Sequence, residues 1–222
     1  MPTEYNIAEL VQKLGNNKEI FESAKEFQDM MMRYECAAME IETKIKILNE
    51  EFSLRTQRNP IESIKSRIKS PASIYEKMSR KGYDMTIEAM EQHLSDIAGV
   101  RVICSFPEDI YAVARLITEQ DDIIILEIKD YIAKPKENGY RSLHLIVAVP
   151  IFLANEKRNM KVEIQFRTIA MDFWASLEHK VKYKKNVENP EEIARELKEC
   201  ADIITSVDYR MQEIEHKTSV IE

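Results

Sequence analysis

Four short segments carry residue types whose spacing could do chemistry on a phosphorylated substrate. In SRIKSPASIYEKMSRK, residues 66–81, a helix opened by Pro71 would put Ser73, Lys77 and Arg80 or Lys81 at successive turns of one face. Ile74 and Met78 would form a neighbouring apolar stripe. The start of such a helix offers unpaired N–H groups and the positive end of a dipole, which together favour a phosphate. The plainer use of the same residues is a solvated, lysine-rich face.

In LSDIAGVRVIC, Asp96 precedes a strand in which Arg101 faces away from Val100 and Val102, so a carboxylate and a guanidinium share one region. An aspartate there also serves as an ordinary turn residue. In NMKVEIQFRT, alternation sends Val162, Ile164 and Phe166 one way and Glu163, Gln165 and Arg167 the other. Acid, amide and guanidinium on neighbouring pleats suit a site for metal, nucleotide and phosphate, although a solvated outer face has the same pattern. In KPKENGYRSLH, Tyr140 follows the turn dipeptide Asn138-Gly139, and Tyr140, Ser142 and His144 are expected on one face. A tyrosine so placed either packs at a sheet edge or offers a flat platform to a nucleobase. His144 is either a structural histidine or an acid or base.

These segments need elements to position them. Apolar residues from Phe21 to Leu48 recur at three- and four-residue steps, predicting one long or broken helix from about Asn17 to Leu54. Asn59-Pro60 ends it, and a shorter helix is expected up to Ile68. Ser70 and Pro71 then read as the cap and first turn of the basic helix. AGVRVICSF, DIIILEIKDY, RSLHLIVAVPIF and NMKVEIQFR are strand-like runs, with a helix from about Pro107 to Gln120 between the first two. The fold class is therefore α/β (α+β), a mixed β-sheet flanked by helices. From Ile169 the chain reads as helical, with a break near Asn189-Pro190 and an acidic tail that is most simply a solvated amphipathic helix. Only four glycines occur and no linker stands out, so residues 1–222 read as one domain. Its core spans about 60–185, with helical extensions over 1–59 and 186–222.

The composition narrows the function classes. The net charge of −7 argues against a general nucleic-acid surface. Yet Lys65, Arg67, Lys69, Lys77, Arg80 and Lys81 face only one acid, Glu76, between Ile64 and Lys81, as expected of a local anion site. No apolar run is long enough to span a membrane, and MPTEYNIAEL lacks the basic and apolar regions of a signal peptide, so a cytoplasmic location is expected. Cys36, Cys104 and Cys200 are far apart and unpaired, predicting buried thiols in place of a disulfide framework or zinc site.

Taken jointly, the segments resemble the synthetase domain of the RelA/SpoT family in its small stand-alone form. RIKSPASIYEK, DIAGVRVIC, DYIAKPKENGYRSLH, VEIQFRT and MDFWASLEHKVKY occur in the family's order between about Pro60 and Lys185. RIKSPASI and AMDFWASLEHK look closer to the RelP type than to the RelQ type. The resemblance implies a nucleotidyltransferase-like sheet and Mg²⁺-dependent transfer of pyrophosphate from ATP to the 3′-hydroxyl of GDP or GTP. It further implies Arg67 and Arg101 stacked on adenine, and Lys69, Ser73, Lys77 and Arg80 on the ATP phosphates. Asp96 would bind Mg²⁺, with Glu163 as second ligand or as the base for the 3′-hydroxyl. Tyr140 would stack on guanine, with Lys136, Arg141, His144, Gln165, Arg167 and Asp172 lining the acceptor side. Asp172 stands where many small synthetases have asparagine.

IESIKSR replaces the phenylalanine- and glycine-containing stretch by which RelQ-type tetramers are thought to bind an activating alarmone, which argues against that effector. No HDxxED-like motif occurs, so synthesis without hydrolysis is expected. The family usually forms homotetramers. Two other readings stand beside this one: a nucleotidyltransferase-like enzyme that transfers a nucleoside monophosphate, and an RNA-binding regulator using the basic segment and Tyr140.

Overall fold

The computed structural model describes residues 18–55, 58–182 and 189–219. The opening stretch 1–17 and the end of the expected core, 183–188, lie outside the described residues. Helix α1 (Lys18–Arg55) carries Met30, Tyr34, Ala37, Ala38, Ile41 and Ile45 on one buried stripe, following the predicted three- and four-residue steps. This stripe packs across a five-stranded sheet made of β1 (Ile61–Ile68), β2 (Ala98–Cys104), β3 (Ile124–Asp130), β4 (Leu143–Phe152) and β5 (Lys157–Thr168). The strand order is β1-β2-β5-β4-β3; β2 and β5 run parallel and every other pairing is antiparallel.

Alternation divides the sheet into two faces. Val100, Val102, Leu145, Val147, Val162, Ile164 and Phe166 are all buried in one continuous core with the α1 stripe. Arg101, His144, Glu163, Gln165 and Arg167 point to the other face, where the register sets Arg101 and His144 on either side of Gln165.

One expected element is wrong in kind: residues 61–68 form strand β1, paired antiparallel with β2, where a short helix is expected from sequence. Ile61, Ile64 and Ile68 are three and four residues apart, which imitates a helical period. The register shift between Ile61 and Ser63 explains the imitation, because an extra residue resets the alternation and lets Ile61 and Ile64 face the same core. The sheet thus has one strand more than the sequence suggests.

Five further helices among the described residues complete the frame around the site. Helix α2 (Pro71–Lys81) starts as predicted, with Ser70 Oγ accepting from Ser73 N at 3.3 Å and Pro71 in the first turn. A short α3 (Ile87–His93), capped by Thr86, and α4 (Pro107–Thr118) follow. After β5, α5 (Ile169–Lys182) and α6 (Pro190–Ser219) pack on each other, tied by a bond from Trp174 Nε1 to the Leu197 carbonyl at 2.9 Å. The acidic tail is therefore docked along one face, burying Ala201, Asp208 and Gln212. Of the three cysteines only Cys104 is buried; Cys36 is half-buried and Cys200 exposed, since their helices present those positions outward. No helix among the described residues is long and apolar enough to cross a membrane.

Candidate active site

The site begins where α2 meets the loop before β2. Ile74 and Met78 bury one side of α2, which turns Lys77 toward that loop. Lys77 Nζ donates to Asp96 Oδ1 at 2.8 Å, and Lys69 Nζ donates to Asp96 Oδ2 at 2.9 Å. The backbone is pinned in the same place, with Lys69 N donating to the Ile97 carbonyl at 2.8 Å. Burial alone would push the Asp96 carboxyl up; the bonds and charges of Lys77 and Lys69 outweigh it and hold the group below its ordinary value. Ser73 accepts from the Ser70 hydroxyl at 2.9 Å near the helix start, and Arg80 is exposed in the last turn.

On the polar face of the sheet, β5 supplies the centre. Glu163 lies in register with Gly99 of β2, and Gln165 with Arg101. Glu163 Oε1 is 3.0 Å from His144 Nδ1, and Glu163 Oε2 accepts from Gln165 Nε2 at 2.7 Å. Burial pushes the Glu163 carboxyl up and the Asp96 charge adds to that push. The bonds from His144 and Gln165 outweigh both and keep the group low. Asp96 and Glu163, far apart in sequence, are brought into one region by the pairing of Gly99 with Glu163, and both carboxyls are held below their ordinary values.

The turn before β4 brings in Tyr140. Asn138 Oδ1 accepts from Tyr140 N at 3.2 Å, and Gly139 adopts a φ of 84°, a left-handed conformation that suits glycine. Tyr140 Oη is 2.9 Å from His144 Nε2 and accepts from Arg167 Nη2 at 2.9 Å. Lys136 Nζ lies over the rings of Tyr131 and Tyr140, at 4.5 and 4.8 Å from their centroids. Asp172, in the first turn of α5, accepts through Oδ1 from Arg167 Nη1 at 2.9 Å and from Arg101 Nη1 at 3.2 Å. Both guanidiniums keep a buried Nε with no hydrogen-bond partner.

Two expected neighbours point elsewhere. Ser142 is fully buried and donates to the Phe166 carbonyl at 2.8 Å, because the chain enters β4 there and the hydroxyl is needed by the backbone. Arg141 donates to the Ile132 carbonyl at 2.9 Å and lines a small crevice with Asp208 under α6, away from the cluster around Glu163.

Beside this cluster a pocket of about 250 Å³ is lined by Lys65, Ser66, Arg67, Gly99, Val100, Arg101 and Gln165. Ser66 is an addition to the residues expected from sequence, and Lys65, counted there only among the cations of the basic run, joins the pocket wall. The signal for Lys65 was its two-residue spacing from Arg67, which places both on one face only once residues 61–68 are a strand. Tyr131 is also an addition; it lies edge-on to Tyr140, with ring centroids 6.0 Å apart, and its signal was its place in DYIAKPKENGY.

Residues 66–188 match the family described as a region found in RelA / SpoT proteins. The GTP pyrophosphokinase YwaC of Bacillus subtilis is 48% identical over 187 residues, covering 84% of this chain and 89% of its own length. The chain belongs to the RelA/SpoT family. Among solved structures, small alarmone synthetase 2 of Bacillus subtilis superposes with a TM-score of 0.78 at 45% identity, covering 86% of this chain and 99% of the other. Small alarmone synthetase 1 of Bacillus subtilis, bound to its product pppGpp, gives a TM-score of 0.79 at 34% identity, covering 87% and 98%. The family's fold, a mixed five-stranded sheet flanked by helices, is the one seen here. The RelA/SpoT match spans most of the sheet and all the residues of the site from Arg67 to Asp172.

Proposed function

We propose that this RelA/SpoT-family chain is a GTP/GDP pyrophosphokinase that transfers the β,γ-pyrophosphate of ATP to the 3′-hydroxyl of GDP or GTP, without hydrolase activity. The observation that carries this reading is the polar face of the sheet, where Glu163 lies in register with Gly99, just after Asp96, with Lys69 and Lys77 bonded to Asp96 and His144 and Tyr140 in line behind Glu163. The names of its relatives as GTP pyrophosphokinases support the same chemistry.

In this reading ATP lies along α2 and the edge of β1. Arg67 and Arg101 hold adenine at the pocket they line, where planar guanidiniums can stack. Lys69, Ser73, Lys77 and Arg80 take the phosphates, so the lysines leave Asp96 as the triphosphate arrives. Guanine stacks on Tyr140 and displaces a cation from its ring; Lys136, His144, Gln165, Arg167 and Asp172 complete the acceptor side, and Arg141, bonded to the Ile132 carbonyl, supports the turn from behind. Glu163 takes the proton of the 3′-hydroxyl as its oxygen attacks the β-phosphorus. The bond from that phosphorus to the α-phosphate bridging oxygen breaks, and AMP departs.

The donor set fits Mg²⁺. Two hard, ionised carboxylates with unused lone pairs, completed by substrate phosphates, are how this ion is usually held, and no group of three or more protein ligands occurs among the described residues. Asp96 and Glu163 would hold it, and when bound it would neutralise charge building on the leaving phosphate. We further propose a cytoplasmic protein that assembles as a homotetramer. Exposed Ile203, Val207, Met211 and Ile214 on one side of α6 and Met39 and Ile47 on α1 offer apolar surface for such contacts. The RelP-like wording of RIKSPASI supports that subtype.

Incubation of the pure protein with Mg²⁺, labelled ATP and GDP tests the reading. AMP and a guanosine carrying diphosphate at its 5′ and 3′ positions are expected, and their absence over a broad range of pH and salt rejects it. Glu163→Gln is expected to bind both nucleotides and lose turnover by orders of magnitude.

A further inference from the structure

Every hydrogen bond that reaches Glu163 can be traced back to Arg167, and tracing it fixes which atom carries each proton. A guanidinium only donates. Arg167 Nη2 gives one bond to Tyr140 Oη at 2.9 Å and another to Gln165 Oε1 at 3.3 Å. With a lone pair of Tyr140 Oη so engaged, its single proton is free to point at His144 Nε2, 2.9 Å away. For a neutral ring, an Nε2 that accepts leaves the ring proton on Nδ1, aimed at Glu163 Oε1 at 3.0 Å. The second path is equally directed. A Gln165 whose Oε1 accepts from Arg167 must turn its amide nitrogen to Glu163 Oε2, at 2.7 Å.

We propose that Arg167, Tyr140 and His144 are positioning residues for Glu163. Ionised Glu163 can only accept from Nδ1, and the Tyr140 hydroxyl fills Nε2 from the other side, so the ring is held in one tautomer and orientation. Both carboxylate oxygens then receive a donor and the remaining lone pairs keep one direction. The inference rests on Glu163 being the base, but assigns Tyr140 a second task that its ring cannot perform. A platform for guanine needs the aromatic face alone, whereas this network needs the hydroxyl. The geometry around the ring is compatible with both, because Tyr140 is held by its hydroxyl end while Lys136 and Arg167 lie over its face. Tyr131 buttresses the pair, edge-on to Tyr140 at 6.0 Å and to His144 at 5.3 Å between ring centroids.

Tyr140→Phe separates the two tasks. It keeps the ring, so KM for the guanine nucleotide is expected to stay within about twofold of wild type. Removing an outer partner of a ligand or base lowers activity about ten- to hundredfold, and a fall of that order is expected in kcat. Nitrogen NMR of protein labelled at its four histidines supplies a readout independent of turnover. The His144 signal, assigned by its disappearance in His144→Gln, is expected as the Nδ1–H tautomer in wild type at pH 8, and its Nε2 resonance is expected to shift in Tyr140→Phe as that nitrogen loses its hydrogen bond. An Nε2–H tautomer or an imidazolium in wild type at that pH overturns the proposal, as does Tyr140→Phe with wild-type kcat. If Glu163→Gln turns over normally, the base assignment fails instead, and the tautomer measurement still decides whether the network exists.

Discussion

Lys77 Nζ lies 2.8 Å from Asp96 Oδ1, so a side chain expected to hold phosphate neutralises a side chain expected to hold metal. Lys69 does the same at the other oxygen, 2.9 Å away. Without nucleotide the two cations and the anion satisfy one another at low solvent exposure, which stabilises the cleft while keeping it charged. In the proposed reading, binding of ATP would be an exchange: phosphates would replace Asp96 as partner of the lysines, and Asp96 would be released toward the metal.

Asp96→Asn tests the exchange. The variant is expected to lose turnover by about a hundredfold or more, in line with loss of a group acting in the transition state. In EDTA it is expected to bind ATP at least as tightly as wild type, because Lys69 and Lys77 no longer have a carboxylate to leave. Calorimetric titration without metal checks this, and clearly weaker binding there would show that Asp96 organises the lysines instead of competing for them.

A second prediction concerns Asp172, whose Oδ1 serves both Arg101 and Arg167. Burial depresses the Arg101 guanidinium first and the nearby Arg167 charge depresses it further, so the two cations repel and Asp172 offsets them. Asp172→Ala is expected to cost about 1–3 kcal/mol of stability, as for a partner removed from a partly buried bond. It is also expected to raise KM for both nucleotides, since one arginine serves each. Asp172→Asn keeps an acceptor oxygen and is expected to retain most of both. Thermal melts and steady-state kinetics on the two variants check the difference.

Much of this architecture was legible because hydrophobic alternation and helix punctuation leave local marks. The Val162, Ile164, Phe166 alternation gave the two faces of β5, and Ser70-Pro71 gave the start of α2. Strand β1 was hidden because a bulge gave its isoleucines a helical spacing, and a bulge has no composition of its own. The site residues were named from five motifs, but their pairing was not readable. Nothing in the sequence says that Asp96 sits between two lysines, that Asp172 ties two arginines, or that Arg141 turns to the Ile132 carbonyl. Those facts depend on register and rotamer, which belong to the fold as a whole.

Asp208 supplies a prediction in pH. Burial raises its carboxyl above the ordinary value, against the opposing bond from Thr168, at 2.6 Å, and the charge of Arg141. A raised folded-state value means the native protein holds this proton more tightly than the unfolded chain does. Its contribution is therefore favourable below the unfolded value, about pH 4, and is lost as pH rises through the higher folded value. At pH 7 the ionised Asp208 is a cost that an amide avoids, while the amide oxygen can still accept from Thr168. Asp208→Asn is expected to melt at a higher temperature than wild type at pH 7, with the gap closing toward about pH 4. A lower melting temperature at pH 7 would mean that attraction to Arg141 outweighs burial.

Gly139 ties the acceptor turn to the last helix. A β-carbon there would lie 2.5 Å from the Ala201 methyl and 3.6 Å from Lys198 Cα on α6, and neither atom can rotate away. The glycine also has a φ of 84°, so Gly139→Ala meets backbone strain as well as contact. Together these are expected to cost about 1–3 kcal/mol, the usual scale of overpacking a close contact. Because Tyr140 is the next residue, the shift is expected to reach the guanine platform before the ATP pocket. KM for the guanine nucleotide should rise more than KM for ATP. Adding Ala201→Gly opens space under α6 but leaves the φ strain and weakens the helix by about 1 kcal/mol. The double variant is therefore expected to recover guanine KM while remaining less stable than wild type. Equal recovery of stability and KM would place the whole effect in the contact with Ala201, and recovery of neither would place it in the backbone of the turn.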